Sequence, residues 1–260
     1  MQYEIKNFIL TRYLRKTWDN MPQDVRNVYG DMDMNKWDCV QEDLYKQQIK
    51  QIKSFYPKAN IHVLTNDEKR LNEKDIIVHF KKDMPSSHIS KLLVYGLLDE
   101  PAMYIDNDII ICRKWNDQEL ETENPFNFYI QSGKYNIQAI AKEKLHVPLD
   151  NHWNAGVIWI KKPSKKLVEI FQEYHWRYFS DKKLIINHGN WADSDELPVA
   201  LYIIENKLNM NLSKEIGVPR KRTNFESIIN LQSIHYTGID IEDKKLCIKD
   251  YKKLMSLKMV

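Results

Sequence analysis

Two aspartates separated by one residue are the clearest candidates for chemistry in this chain: Asp106 and Asp108, on either side of Asn107. Apolar runs flank them, from Ala102 to Ile105 and from Ile109 to Cys112. Side chains at i and i+2 of an extended strand lie on the same side, so the two carboxylates can converge. Two like charges held so near to each other require a proton or a cation between them. The spacing therefore predicts a divalent metal site. Its expected place is the carboxyl end of a buried strand, where open α/β sheets bind ligands.

The chain before this pair alternates predicted strands and helices. Strands are predicted at residues 5–10, 61–65 and 76–80, with a helix from Val40 to Phe55 between the first two. This alternation predicts a mostly parallel sheet flanked by helices. The polar stretch from Lys16 to Trp37 is predicted to be a loop over the site.

Further elements are predicted around and after the pair. A short helix is predicted to begin at Ser86 or Ser87, either of which can cap it, and Pro101 ends that segment. Later strands are predicted at 126–130, 136–141, 152–160 and 231–236, and later helices from Ser164, Asp195 and Lys244. The basic tail at 244–260 is predicted to be a solvated surface helix.

The composition fits one globular domain and excludes some classes of protein. Of 260 residues, 43% are hydrophobic, which is enough for a sizeable core, and we draw no domain boundary within 1–260. The 39 basic and 36 acidic residues leave a net charge of +3, too balanced for general nucleic-acid binding.

Cysteine usage and hydropathy predict a cytoplasmic protein. The three cysteines are far apart and form neither a disulfide framework nor a zinc motif, which favours a reducing compartment. The N-terminus lacks the apolar stretch of a signal peptide. No run approaches the roughly 20 apolar residues of a transmembrane helix.

Five short motifs follow one another along the chain. They are Ser-Lys-Leu at 90–92, Asp-Asn-Asp at 106–108, Asn-Ala-Gly at 154–156, Asp-Glu-Leu at 195–197 and His-Tyr-Thr-Gly at 235–238. This order resembles that of the GT-A glycosyltransferases, in particular the family that contains glycogenin and the bacterial lipooligosaccharide galactosyltransferases. The resemblance covers residues 5–240. It implies an α/β, Rossmann-like fold in which helices flank a mostly parallel central sheet in a single domain.

The resemblance also implies a metal and a donor substrate. Asp106, Asp108 and His235 are implied to bind Mn²⁺, which the two phosphates of a UDP-sugar also hold, with Mg²⁺ as the alternative ion. Two carboxylates and an imidazole suit Mn²⁺ better than Mg²⁺, because Mg²⁺ prefers all-oxygen shells and keeps several waters.

Other residues are implied to contact the donor. Besides the metal ligands, the residues in positions that resemble the family's donor contacts are Thr11, Tyr13, Lys91, Asn107, Gly238 and Lys244. The family often continues from its glycine to a Lys-Pro-Trp that grips the diphosphate. Gly238 is instead followed by a sequence in which Lys244 or Lys245 is the candidate for the phosphates.

The candidate catalytic groups are Asn154, Asp195 and Glu196, which resemble polar groups lining the sugar and acceptor pocket. The family usually has Gln where Glu196 stands. The implied reaction is transfer of a hexose from UDP-glucose or UDP-galactose to a hydroxyl acceptor, with retention of configuration. A bound metal stabilises the leaving diphosphate as a Lewis acid, and Asp195 can stabilise the oxocarbenium-like sugar. The acceptor can be a glycan end, a lipid-linked sugar or a protein hydroxyl.

Two other functions are left open by the residues. One is a metal-dependent phosphohydrolase in which Asp106 is the nucleophile and Asp108 the acid, although that fold usually has Thr or Val where Ile110 stands. The other is a non-catalytic relative that binds a sugar nucleotide or a partner protein.

Each candidate also has a purely structural interpretation. The aspartate pair can be a surface turn, and His235 a satisfied core histidine. Lys91 can be a solvated helix residue, and Asn154 a turn residue. Asp195 and Glu196 can be favourable acids at a helix N-terminus.

Overall fold

The computed structural model describes residues 4–13, 34–84, 89–132, 152–179, 195–210, 216–217, 233–236 and 241–258. A six-stranded sheet lies at the centre of this part of the chain. Its strands are β1 (Asn7–Arg12), β2 (Asn60–Thr65), β3 (Ile77–Phe80), β4 (Ala102–Ile105), β6 (Phe126–Ser132) and β7 (His152–Ile160). They lie in the order β3-β2-β1-β4-β7-β6.

The central sheet is mostly parallel, as the alternating pattern predicts. Strands β3, β2, β1 and β4 run parallel to one another, whereas β7 is antiparallel to both β4 and β6. All four residues of β4 are buried. A short, uninterrupted apolar strand of this kind is typical of a parallel sheet that is covered on both faces.

A second, smaller sheet adjoins the site. It contains β5 (Ile109–Ile111), β8 (Ile216–Gly217) and β9 (Ser233–His235) in the order β5-β9-β8, with β5 antiparallel to β9. The chain therefore leaves the central sheet at the end of β4 and enters the other sheet at β5. Between them, residues 106–108 form a turn in which Ile109 N donates to Asp106 O at 3.3 Å. The pair lies after the strand, as predicted, but in a turn and not in the extended backbone from which convergence of the carboxylates was argued, because the chain changes sheets there.

Helices cover the sheets. The α-helices are α1 (Met34–Phe55), α2 (Asp117–Leu120), α3 (Lys165–Phe179), α4 (Glu196–Glu205) and α5 (Ile241–Lys258), and two 3₁₀ helices span Glu68–Arg70 and Ile89–Gly96. The predicted helix before Pro101 is thus a 3₁₀ helix where it is described, and its start at Ser86 or Ser87 lies outside the described residues. None of these helices is long and apolar enough to cross a membrane within the ranges given above.

The structure describes only part of the predicted loop at 16–37 and none of the strand predicted at 136–141. The loop predicted from Lys16 to Trp37 ends too late, because α1 already begins at Met34. The rest of that loop, from 16 to 33, lies outside the described residues, as does the strand predicted at 136–141.

The two faces of the central sheet bury different clusters, because neighbouring strand residues point to opposite sides. In β1, Phe8 and Leu10 lie in the cluster covered by α1, together with Tyr45 and Ile52. Ile9 lies in the other cluster, which the 3₁₀ helix Ile89–Gly96, α3 and α4 cover. This double cover leaves the ends of the strands as the accessible edges of the sheet.

The C-terminal helix α5 has a buried face, so the prediction of a plain solvated helix is wrong. Cys247, Tyr251 and Leu254, at positions i, i+4 and i+7, are buried. They share a cluster with Leu44 of α1 and Ile110 of β5. A few apolar side chains are enough to pack this helix against the protein, because they form one stripe along it.

Candidate functional site

The turn between β4 and β5 is held on both sides by backbone hydrogen bonds. Asp106 N donates to Gly156 O of β7 at 2.8 Å, and Tyr236 N donates to Asp108 O at 3.0 Å. The first bond ties the turn to the central sheet and the second ties it to the end of β9. The two carboxylates are therefore placed where the two sheets meet.

Asp106, Asp108 and His235 come together at this turn. Each offers one ligand atom, and the three atoms lie within 4.8 Å of one another. His235 Nε2 lies 3.4 Å from Asp108 Oδ1. Residues that are far apart in sequence thus form the cluster of two carboxylates and one imidazole that the resemblance implied, a donor set that suits a divalent transition metal.

The imidazole of His235 fits a role as a metal ligand. The residue is 3% exposed, and its Nδ1 is buried without a hydrogen-bond partner among the described residues. A satisfied core histidine would have both ring nitrogens paired, so the structural interpretation does not account for this ring. A bond to a cation would give the ring a polar partner without another protein acceptor.

Gly156 makes room for this imidazole. A Cβ atom on Gly156 would lie 2.6 Å from His235 Cε1 and 2.9 Å from His235 Nδ1. The glycine of the Asn-Ala-Gly motif therefore permits close approach of the backbone to the ring, in addition to accepting the hydrogen bond of Asp106.

Asp106 is oriented by two buried groups. Lys91 Nζ lies 2.8 Å from its Oδ1 and 2.9 Å from its Oδ2, and the Tyr104 hydroxyl donates to Oδ1 at 2.5 Å. Burial by itself lowers the pKa of Lys91, but interactions with Asp106, Tyr104 and Asp195 together outweigh burial and hold that pKa well above its usual value. Lys91 is thus a charged partner of the aspartate and not a solvated helix residue.

Asp108 is paired with Lys244. The ammonium group donates to Asp108 Oδ2 and, at 3.0 Å, to Tyr236 O. Burial raises the pKa of Asp108, but Lys244 and His235 together outweigh burial and lower it. The carboxylate is therefore ionised at neutral pH. Lys245, the other lysine considered for the phosphates, is exposed and pairs with Glu242 at 2.6 Å.

Asn154 and Glu196 hold the Asn-Ala-Gly segment beside the aspartates. Asn154 Oδ1 accepts from Gly156 N at 2.9 Å, and Glu196 Oε1 accepts from Ala155 N at 3.0 Å. Glu196 opens α4, so it joins that helix to the middle of β7. Both side chains thus contact the segment that carries Gly156, next to the metal cluster.

Asp195 is a buried acid at the start of α4. It is 5% exposed, and its side chain makes no capping hydrogen bond to the helix, so a simple capping role does not explain it. Burial is the main cause that raises the pKa of Asp195 to about 7; Lys91 opposes the rise, while Glu196 and Asp106 add to it. Its ionisation therefore responds to the charges of the metal cluster.

The end of β1 contacts the same turn. Asn107 Nδ2 donates to Thr11 O at 3.0 Å, and the Thr11 hydroxyl lies 3.2 Å from the Tyr104 hydroxyl. Tyr13 is partly buried against the cluster under α3 and α4. Thr11 and Asn107 thus lie at the aspartate turn, whereas Gly238 lies outside the described residues.

Sequence reasoning missed Tyr104. A signal was present, because Tyr104 stands two residues before Asp106 on a strand, a spacing that places two side chains on the same face. The role of Gly156 in accommodating His235 had no such signal, since it depends on a contact between β7 and β9.

Comparisons with known proteins were made at the level of sequence and of structure. No family model matches the sequence, and no curated protein matches it. Solved structures do match over nearly the whole chain. The galactosyltransferase LgtC, in complex with donor and acceptor sugar analogs, superposes with a TM-score of 0.53 at 12% identity, covering 96% of this chain and 95% of LgtC.

Two further structures give the same result. An active-site Gln-to-Glu mutant of LgtC superposes with the same TM-score of 0.53 at 12% identity, covering 96% of this chain and 95% of the mutant chain. The apo-form glycosyltransferase GlyE of Streptococcus pneumoniae TIGR4 gives a TM-score of 0.51 at 10% identity, covering 99% of this chain and 63% of GlyE. The chain therefore has the GT-A fold of these glycosyltransferases, as the order of its motifs predicted.

Proposed function

We propose that this protein is a metal-dependent glycosyltransferase that moves a hexose from a UDP-sugar to a hydroxyl acceptor. One observation carries the proposal: Asp106, Asp108 and His235 converge within 4.8 Å at the carboxyl end of β4. Two lysines neutralise the two carboxylates. The fold shared with glycosyltransferases supports the proposal, because sheets of this kind bind ligands at this edge.

The metal ligands would be Asp106 and Asp108, through carboxylate oxygens, and His235, through a ring nitrogen. Mn²⁺ is the ion we favour for this mixed donor set. When bound, it would stabilise the negative charge that develops on the leaving diphosphate. Lys91 and Tyr104 hold the Asp106 carboxylate in position through hydrogen bonds, and the close approach of Gly156 holds His235 against the pair.

The sugar would lie beside the acids that follow the metal cluster. Asp195, when ionised, would stabilise positive charge on the sugar ring. Its burial and its electrostatic interactions with Lys91 and Asp106 support this role. Glu196 and Asn154 fix the segment that borders this space. Thr11, Tyr13 and Asn107 border the other side of the turn, where we place the uridine.

UDP-galactose and UDP-glucose are the donors we propose, with retention of configuration. LgtC, whose fold this chain shares, is a galactosyltransferase, and the order of motifs resembles its family. We propose a glycan end, a lipid-linked sugar or a protein hydroxyl as the acceptor.

A thermal-shift screen followed by a turnover assay tests this function. We expect UDP with Mn²⁺ to raise the melting temperature, because a ligand that binds only the native state stabilises it by mass action. We expect slow hydrolysis of UDP-hexose without an acceptor, which chelation and Asp108→Ala abolish. Lys249→Ala is the matched control, since Lys249 lies exposed on the same helix as Lys244.

The same assay separates the other two functions. Metal-independent release of phosphate from generic phosphate esters would favour the phosphohydrolase and contradict the proposal. Tight binding of UDP without turnover on any sugar nucleotide or acceptor would indicate a binding protein.

A further inference from the structure

Lys244 is a buried lysine whose charged group contacts the candidate metal centre directly. The residue is 5% exposed, and its ammonium donates to Asp108 Oδ2 and to Tyr236 O. Lys244 and Asp108 are 136 positions apart in the sequence. Because a buried ammonium needs partners for its charge, this pair is a structural feature of the site and not a transient surface contact.

The C-terminal helix fixes the position of this ammonium. One turn after Lys244, Cys247 is buried, and Tyr251 and Leu254 continue the buried stripe of α5. The Tyr236 hydroxyl donates to Asp250 Oδ2 at 2.5 Å, so the residue that follows His235 is tied to the same helix. Lys244 therefore approaches Asp108 from a packed helix that also anchors the end of β9.

The two carboxylate oxygens of Asp108 face different groups. Its Oδ1 faces His235 Nε2 at 3.4 Å, on the side of the metal cluster, while its Oδ2 accepts from Lys244. A divalent ion ligated by Asp108 would lie a few ångströms from the ammonium group of Lys244. At that distance the two positive charges would repel each other strongly in a partly buried site. Lys244 and the metal therefore oppose each other at this carboxylate.

We propose that Lys244 is an internal counter-cation that competes with the divalent metal for Asp108 and couples metal binding to binding of the nucleoside diphosphate. The diphosphate offers the ammonium a second anionic partner, which relieves the competition. Metal and nucleotide thus bind with positive cooperativity, and the coupling is reciprocal. This inference rests on the proposed function, because it takes the metal and the diphosphate to bind at this site.

The first experiment measures Mn²⁺ binding alone, without nucleotide, from the electron paramagnetic resonance signal of free Mn²⁺. We expect Lys244→Met to bind Mn²⁺ about tenfold more tightly than the wild type, because a unit charge beside the ion is removed. Lys245→Met, on the adjacent and exposed lysine, should leave the affinity unchanged. Lys244→Gln is a second variant, since its amide can still donate to Asp108 and Tyr236 without the charge if Lys244→Met folds poorly.

The second experiment measures the coupling. We expect UDP to increase Mn²⁺ affinity strongly in the wild type and much less in Lys244→Met or Lys244→Gln. Thermal melts with and without Mn²⁺ report the same effect without turnover: the metal should raise the melting temperature more in the Lys244 variants, whose Asp108 carboxylate lacks its ammonium partner.

The outcomes distinguish this inference from the proposed function. If the wild type binds Mn²⁺ in a manner that Asp108→Asn abolishes, but the Lys244 variants bind it equally or more weakly, the counter-cation role is wrong and the proposed function stands. If the wild type binds no Mn²⁺ even with UDP, or if Asp108→Asn binds it as well as the wild type, both proposals are wrong.

Discussion

Tyr104 and Gly156 hold the two sides of the candidate metal centre at the scale of single residues. The Tyr104 hydroxyl donates to Asp106 and lies beside that of Thr11, so it links the end of β1 to a proposed metal ligand. Gly156 accepts the backbone hydrogen bond of Asp106 and leaves space for His235. Groups that orient ligands in this way affect metal affinity almost as strongly as the ligands themselves.

Tyr104→Phe tests the first of these roles. We expect a loss of about 1.5–3 kcal/mol in the free energy of unfolding, because a hydrogen bond to a charged group is removed. Mn²⁺ affinity should fall about tenfold or more as Asp106 loses its orientation. Urea denaturation and Mn²⁺ titration measure the two effects.

Tyr95→Phe is the matched control for this substitution. Tyr95 is buried in the same fold, but its hydroxyl has no hydrogen-bond partner in the part of the chain that the structure describes. Removing that hydroxyl should leave stability equal or slightly higher and Mn²⁺ affinity unchanged. Equal Mn²⁺ affinities for the two tyrosine variants would contradict the role of Tyr104.

Gly156→Ala tests the contact with His235. The added Cβ would lie 2.6 Å from His235 Cε1, so the ring must shift and metal affinity should fall by at least about tenfold. Gly96→Ala is equally crowded, with Lys165 Cα 2.9 Å from the added Cβ, but it lies under α3. It should lower the melting temperature and leave Mn²⁺ affinity intact; a loss of affinity in both variants would indicate a general loss of structure.

At the scale of elements, the C-terminal helix α5 is part of the site's framework. Its buried stripe packs on α1 and β5, and Asp250 and Lys244 contact Tyr236 at the end of β9. The strand that carries His235 therefore depends on α5 for its position. A helix with this role cannot be a detached basic tail, although its composition suggests one.

The packing of α5 predicts a contrast between two of its leucines. Leu254 is 1% exposed and Leu257 is 54% exposed. Leu254→Ala should lower the free energy of unfolding by about 2–4 kcal/mol, because it removes buried methyl groups and leaves a cavity. Leu257→Ala should change it by less than about 0.5 kcal/mol. Urea denaturation of both variants measures the contrast, and equal values would mean that α5 is not packed as described.

At the scale of the whole molecule, a chain of polar contacts crosses the edge of the central sheet away from the site. His62 Nδ1 lies 3.0 Å from His79 Nε2, and His62 Nε2 lies 3.3 Å from Asn7 Oδ1. Burial, and then the neighbouring His79, lower the pKa of His62 to about 4. The folded protein therefore holds this imidazole neutral at pH values at which the unfolded chain protonates it.

This pair predicts how stability depends on pH. The pKa of His62 is lower in the folded state than the ordinary value of 6.5, so its contribution is fully present above pH 6.5 and is lost as pH falls towards about 4. The loss should be on the order of 1–3 kcal/mol. Denaturation curves at several pH values should show a steeper acid loss for the wild type than for His62→Gln, and identical slopes would contradict the prediction.

Much of the fold follows from local patterns. The alternation of apolar runs predicted β1, β2 and β3 to within one or two residues, because strand and helix periods are properties of neighbouring residues. The same holds for β4, β7 and the helix after Ser164. The 3₁₀ form of Ile89–Gly96 and the buried face of α5 were not predicted, because they depend on which elements each segment packs against.

Spacing alone identified the two aspartates and predicted a cation between them, since an Asp-x-Asp between apolar runs brings like charges together whatever lies elsewhere in the chain. How the two carboxylates come together was decided by the tertiary structure. The pair forms a turn between two sheets, and the pairing of β5 with β9 brings His235 to that turn. The partners of each carboxylate, Lys91 with Tyr104 on one and Lys244 on the other, were likewise decided by packing. Contacts between residues so distant in sequence depend on the relative rotation and register of whole elements, which no local pattern specifies.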